Sequence, residues 1–411
     1  MTMLRTVAIA LLLFFHTCIL SASASETIDI GMSAAFKGPT GGIGSELYRG
    51  SMAYIKKINE AGGINGRQIR IIAYDDGYNP IPAINNTIQL IEKDKVFLLF
   101  NYVGTPTVAR VLPLLKINSD KNIFLFFPFT GAEPHRLPPY EEYVFNLRAS
   151  YHQETSGLVE NFLKVGRKKI AVFYQADAYG RSGWNGVRTT LAKYRLKAVA
   201  EATYRRGTNF SDSLAQQVAL LKNSGADAVV SIGAYAACAA FIRDARDAGW
   251  DVPIANVSFV GSEFMINLLL EAGQAKGRDY TTNLINSQVV PSYEDTSLVA
   301  VRQYREYMDS YSQLPPAHLV EPNYTPLRYS FVSFEGFLNA KLLVEVLKKA
   351  GPRFEKERIR PVVESFRNLD IGIDTRVSFS PTRHQGLDRV YYTTYSEGRF
   401  VPIKDWSRWQ Q

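Results

Sequence analysis

The sequence predicts an α/β protein of two similar lobes, each a parallel-rich sheet flanked by helices. Short apolar runs of strand character alternate with segments of helical apolar spacing, and the alternation restarts after Ala149. At 411 residues the chain is too long for one small domain and fits two of ordinary size. With 46% hydrophobic and 21% charged residues it has a globular composition able to build sizeable cores.

The N-terminus comes first. Arg5 is the only charge among the first 25 residues, Val7–Ile19 is an almost unbroken apolar run, and Ser21-Ala22-Ser23-Ala24 offers an A-x-A cleavage site. This is the pattern of a secretory signal peptide over residues 1–25, cut near Ala24, and it places the mature chain in the periplasm. Cys18 lies within that run without a lipoprotein motif, so only Cys238 remains after cleavage and no intrachain disulfide is expected. The balance of 47 basic against 39 acidic residues is scattered along the chain. It suggests a field favouring anions rather than a nucleic-acid surface, and no nucleic-acid partner is expected.

In the first half, strands are expected at Ile28–Met32, Gln68–Tyr74, Val96–Phe100 and Asn122–Phe127. Ser33–Gly44 reads as a loop, and helices are expected at Leu47–Ile58 and Ile81–Ile91. After Ala149 come helix Thr155–Val165, strand Lys169–Tyr174, helix Val187–Tyr194, strand Lys197–Tyr204, helix Phe210–Asn223, strand Ala228–Ile232 and helix Ala236–Ala248. Strand-like runs follow at Pro253–Val260 and Thr281–Val290. Beyond Pro291 the chain turns to helices at Leu298–Tyr311, Phe331–Lys349 and Ile359–Phe366. Strand-like stretches then occupy Val377–Phe379, Val390–Tyr395 and Phe400–Ile403.

The junction Phe100–Arg110, FNYVGTPTVAR, draws the eye to chemistry. A strand runs through Gly104 into a helix expected to be capped by Thr105, with Pro106 at its first position. That arrangement leaves backbone N–H groups and the hydroxyls of Thr105 and Thr107 at a positive helix end, beyond the carboxyl ends of parallel strands. These residues alone are equally consistent with a plain capped βα turn and with a seat for a carboxylate. The loop Phe129-Thr130-Gly131-Ala132 ends the next strand in the same manner. Asp75-Asp76 reads as ordering a turn, Cys238 as a small core residue, and the isolated histidines show no metal spacing. No nucleophile elbow, P-loop or dinucleotide fingerprint is present, so neither an enzyme nor a cofactor is expected.

Several phrases, in order, resemble one family: Ile58–Gly66 (INEAGGING), Tyr74-Asp75-Asp76, Gly104-Thr105-Pro106-Thr107, Phe129–Glu133 (FTGAE), Asp177–Gly180 (DAYG), Asp247-Ala248-Gly249 and Ser258–Gly261 (SFVG). The chain resembles the type I periplasmic binding proteins of the leucine/isoleucine/valine-binding branch, which serve ABC importers. The resemblance implies two lobes joined by three hinge crossovers near Leu147–Ser150, Ser287–Pro291 and Gln385–Val390. Lobe I would comprise residues 26–148 and 292–386, and lobe II residues 149–291 and 387–411. It further implies a monomer that traps a small-molecule ligand by hinge closure and delivers it to ABC permease subunits in the inner membrane. A sensor docking on a membrane histidine kinase or cyclase would use the same trap.

Carried over position by position, the ligand contacts implied are Thr105 and Thr107 at the helix start and Phe129, Thr130 and Ala132 in the loop. From the second lobe they are Tyr179, Tyr235 and Ser258. Where amino-acid binders place an acidic residue against the ligand's ammonium, this chain has Ser258, with Glu263 the alternative one turn on. A serine cannot balance a buried cation, so an amide, a carboxylic acid or an aromatic acid stands beside an amino acid as the expected ligand.

Overall fold

The computed structural model describes residues 27–411, and the signal peptide, its cleavage point and Cys18 lie outside them. The first half runs β1 (Thr27–Ala34), α1 (Gly41–Glu60), β2 (Gln68–Asp75), α2 (Pro80–Ile88), β3 (Leu98–Phe100), α3 (Thr105–Ile117), β4 (Leu125–Phe126) and β5 (Val144–Phe145). The five strands form one parallel sheet in the order β2-β1-β3-β4-β5.

The chain continues through α4 (Tyr151–Lys164), β6 (Ile170–Gln175), α5 (Ala178–Lys193), β7 (Glu201–Tyr204), α6 (Ala215–Asn223), β8 (Ala228–Ile232), α7 (Tyr235–Asp247), β9 (Ile254–Asn256), α8 (Ser262–Lys276) and β10 (Leu284–Gln288). Three helices follow: α9 (Val299–Ser310), α10 (Phe331–Ala350) and α11 (Ile359–Glu364). The chain ends in β11 (Tyr391–Ser396) and β12 (Arg399–Pro402). The second sheet has seven strands in the order β12-β11-β10-β9-β8-β6-β7, with β11 and β12 antiparallel and the rest parallel. Two sheets thus make two lobes.

Their central strands are buried on both faces, as helix-covered parallel strands must be: every residue of β3 and β8 is buried. Helix α10 returns to the first lobe and lies against α1. The contact is intimate, because a side chain at Gly50 would stand 1.8 Å from the Ser333 carbonyl oxygen.

Two elements position the cleft. Ser150, two residues after Arg148, caps α4 reciprocally with Gln153, fixing the helix start at Tyr151 and placing Glu154 in its first turn. The segment before it runs beside the later chain, with Asn146 N–H donating to the His384 carbonyl at 2.8 Å and Leu387 N–H to the Leu147 carbonyl at 2.9 Å.

The structure moves several expected boundaries. Helix α1 starts at Gly41, inside the stretch read as loop, because glycines let it begin against the end of β1. A Cβ at Gly44 would lie 2.1 Å from the Ala35 carbonyl oxygen. The helix expected from Phe210 begins at Ala215. Of Pro253–Val260 only Ile254–Asn256 is strand, and Ser258–Val260 coils into a 3-10 turn. Val377–Phe379 makes one isolated bridge, Val377 to Leu369. Helix α8 has no counterpart in the sequence reading. Among the described residues no helix is long and apolar enough to cross a membrane.

Candidate functional site

The site is built at the strand ends of the first sheet. Gly104, not Thr105, is the N-cap of α3, and Thr105 is its first helical residue. The backbone at Gly104 has φ +96°, and a Cβ there would meet the Tyr78 ring at 2.1 Å, so only glycine fits. Gly104 N–H donates to the Phe129 carbonyl at 3.1 Å, and Phe129 N–H to the Tyr102 carbonyl at 2.7 Å. This backbone lacing brings the Thr105 and Thr130 hydroxyls to 2.7 Å of each other, both buried. Thr107 instead turns its hydroxyl back on the Gly104 carbonyl at 2.8 Å, satisfying the helix rather than facing the cleft. Ala132 is fully buried, and its carbonyl accepts from Arg136 Nε at 3.2 Å.

The second lobe meets this junction with aromatic rings. Asp177 caps α5 through the Tyr179 N–H at 2.9 Å, and the Tyr179 hydroxyl donates to the Gly233 carbonyl at 3.3 Å. The Tyr179 ring lies 4.7 Å from Phe259 and 5.1 Å from Tyr151. Phe259 spans the two lobes, with Phe129 at 5.5 Å and Tyr78 at 5.7 Å. Burial pushes the Tyr179 phenol well above its ordinary range and that of Tyr151 up to about 12, so both hydroxyls stay neutral.

Ser258 sits beside a carboxylate that comes from another element. Glu154 accepts from Ser258 N–H at 2.7 Å, from the Ser258 hydroxyl at 3.0 Å and from the Ser287 hydroxyl at 2.6 Å. Arg148 donates to the same Ser258 hydroxyl. The Arg148 guanidinium is 1% exposed, lies 4.6 Å over the Phe129 ring, and is 3.7 Å from both Glu154 and Glu335. Burial works against its charge, but Glu335 and Glu154 more than offset that and raise its pKa. Burial pushes the Glu335 carboxyl up to about 7.

Tyr235 belongs to a different part of the interlobe seam. Its hydroxyl accepts from Gly42 N–H at 3.4 Å, and its ring lies 5.0 Å from Phe264. Both rings line a cavity of about 550 Å³ between the lobes, walled on the far side by Phe36, Gly41 and the stretch from Asn323 to Leu327. Glu263 is buried nearby and accepts from Phe331 N–H at 3.1 Å, a bond between the lobes. Its burial pushes its pKa up to about 7.

Thr105, Phe129, Thr130, Tyr179 and Ser258 thus lie in one neighbourhood, Ala132 N–H donates to the Thr130 hydroxyl at 3.3 Å, Tyr235 lies at the cleft mouth, and Thr107 serves its own helix. Sequence reasoning passed over Arg148, Tyr151, Glu154, Phe259 and Glu335. Only the expected acidic partner pointed toward them, since a serine in that place begs the question of what stands behind it. Among the described residues no group of three or more His, Cys, Asp or Glu side chains could hold a metal.

Residues 27–399 match the Periplasmic binding protein family. The chain belongs to that family. Within it, relatives and folds point to the type I, leucine/isoleucine/valine-binding branch. Leu/Ile/Val-binding protein homolog 3 of Brucella melitensis is 25% identical over 57% of this chain and 62% of its own length. An amino acid binding protein of Pseudomonas aeruginosa is 26% identical over 56% of this chain and 60% of its own. The chain thus matches about three fifths of the length of these relatives. A possible leucine/isoleucine/valine-binding protein from Rhodopirellula baltica superposes with a TM-score of 0.81 at 26% identity, covering 92% of this chain and 96% of the other. The fold is shared with a branched-chain amino acid ABC transporter protein from Thermus thermophilus with bound valine, at TM-score 0.78 and 19% identity over 93% and 96% of the two chains.

Proposed function

We propose that this member of the periplasmic binding protein family is the exported solute receptor of an ABC importer. It closes its two lobes on one small polar molecule and presents the closed form to permease subunits in the inner membrane. The observation that carries this reading is the buried pair of Thr105 and Thr130 hydroxyls at a helix start on one lobe. Beside them the Phe129 ring packs on Phe259 of the other lobe, itself packed on Tyr179 and next to Ser258. Hydroxyls and free helix N–H groups grip a polar head, and closing rings exclude water from it. Capture without turnover accounts for the residues present.

The crossovers near Leu147–Ser150, Ser287–Pro291 and Gln385–Val390 act as hinges in this reading. Each is a short connection between the lobes, so the lobes swing on few dihedral changes. The mature protein works as a monomer. A thermal-shift screen of amino acids, amides, short carboxylates and aromatic acids tests the proposal, because a ligand of the folded form raises the melting temperature by mass action. At least one class should stabilise the protein. Complete silence across the panel, together with unchanged scattering curves, contradicts it.

A further inference from the structure

The floor of the cleft carries a cation with hydrogen-bonding capacity to spare. Arg148 is buried, yet among the described residues its Nε and Nη1 atoms have no hydrogen-bond partner. Among the described residues the guanidinium's one hydrogen bond goes to the Ser258 hydroxyl, and its two carboxylate neighbours stand off at 3.7 Å. A buried guanidinium is costly to leave half-bonded, whereas its planar fork suits a carboxylate. The guanidinium faces Phe129, Ser258 and Tyr151, which come from a strand-end loop of the first sheet, a turn of the second lobe and the first turn of α4.

A second cation lies beneath the same loop. Arg136 spends its donors on neutral oxygens, namely the Thr130, Ala132 and Arg148 carbonyls and the Gln385 amide oxygen at 2.6–3.3 Å. Burial lowers its pKa to about 10, which leaves it charged at neutral pH. Against these two cations stand Glu154, which three hydrogen bonds already occupy, Glu335, which burial holds partly protonated near neutrality, and Glu133, whose charge acts on Arg136 rather than Arg148. A ligand ammonium in this place would meet Arg148 where amino-acid binders offer an acid.

We propose that the trapped solute is a carboxylate without an α-ammonium group, its anionic end held by Arg148 beside the Thr105 and Thr130 hydroxyls. This rests on the solute-receptor reading above and narrows it to one ligand class.

The test uses the mature chain and a yeast-extract preparation split by ion exchange into carboxylate, neutral and ammonium-bearing fractions. Each fraction is scored for thermal protection, and the same is done with 4-methylpentanoate, its primary amide and leucine. The carboxylate fraction should protect the wild type and the other two should not, a result that needs no variant to fold. Arg148→Gln should weaken the protection by about 10-fold or more and Arg148→Lys by less, while Arg353→Gln, at an exposed surface cation, retains it. Protection by the neutral or ammonium-bearing fraction, undiminished in Arg148→Gln, overturns the carboxylate assignment and leaves the solute receptor standing. Protection by none of the fractions overturns the receptor reading itself, and this inference with it.

Discussion

The floor and the mouth of the cleft are built differently. At the floor, Thr105, Thr130, Phe129, Arg148, Ser258 and Phe259 are all buried and in contact, with charge and rings interleaved. At the mouth, Tyr235 and Phe264 are only partly buried, a cavity of about 550 Å³ remains, and the lobes touch through single bonds such as Gly42 N–H to Tyr235. The contrast teaches how labour is divided. A floor that is nearly complete without ligand selects the polar end of a solute by charge and hydrogen bonding, which tolerate little displacement. A roomy mouth selects by volume, which tolerates much.

The largest expected difference between the two regions is in stability. Phe259→Ala should destabilise the protein by about 3–5 kcal/mol, because it empties a site packed from both lobes, whereas Phe264→Ala at the mouth should cost about 1–2 kcal/mol. Urea titrations of the two variants compare them directly. Equal losses would erase the distinction between a packed floor and an open mouth.

Acidity offers a second comparison, since each region holds a carboxyl that burial lifts from the ordinary 4.5 to about 7, Glu335 at the floor and Glu263 at the mouth. The folded chain keeps these protons to about pH 7, while the unfolded chain releases them near 4.5. Their contribution is therefore fully present below the unfolded value and is lost as pH rises through the folded one. Unfolding midpoints should be higher at pH 5 than at pH 8, and Glu335→Gln and Glu263→Gln should each flatten that slope. A midpoint that climbs from pH 5 to 8 in the wild type, with both variants unchanged, would count against the assigned protonation.

Much of the floor was legible in the sequence, and the reason is local. Thr105 and Thr130 each follow a strand end, so a strand–Gly–Thr–Pro pattern and a Phe-Thr-Gly loop announce them without tertiary information. Arg148, Glu154, Phe259 and Glu335 were not legible, because they meet only when a crossover, a helix start, a 3-10 turn and a helix of the other lobe are folded together. One misread boundary hid part of this. Taken as strand through Val260, Ser258 would alternate across a sheet; the chain instead leaves the sheet at Asn256, and the turn aims Ser258 N–H at Glu154. Helix α8 escaped notice because it starts from Gly261 in the left-handed region, with no side-chain cap to signal it.

Smaller effects sharpen the same comparison. Thr105→Ala should weaken ligand binding by about 1–3 kcal/mol and also cost the free protein about 0.5–1.5 kcal/mol, since the buried Thr130 hydroxyl loses its 2.7 Å partner in both states. Calorimetry with the protecting solute reads this, and an unaltered affinity would reduce Thr105 to a helix starter. Tyr235→Phe removes only the long bond from Gly42 N–H and should cost about 0.5–1 kcal/mol of closure, seen as a modest rise in the solute's dissociation constant. A loss as large as that of Thr105→Ala would mean that the mouth, too, grips by hydrogen bonding.

The account stands on closure of two lobes around a solute, and small-angle X-ray scattering of the mature chain measures that most directly. With the protecting fraction at saturation the radius of gyration should fall, and without it the chain should be more extended. Superimposable curves with and without a solute that demonstrably raises the melting temperature would contradict the account.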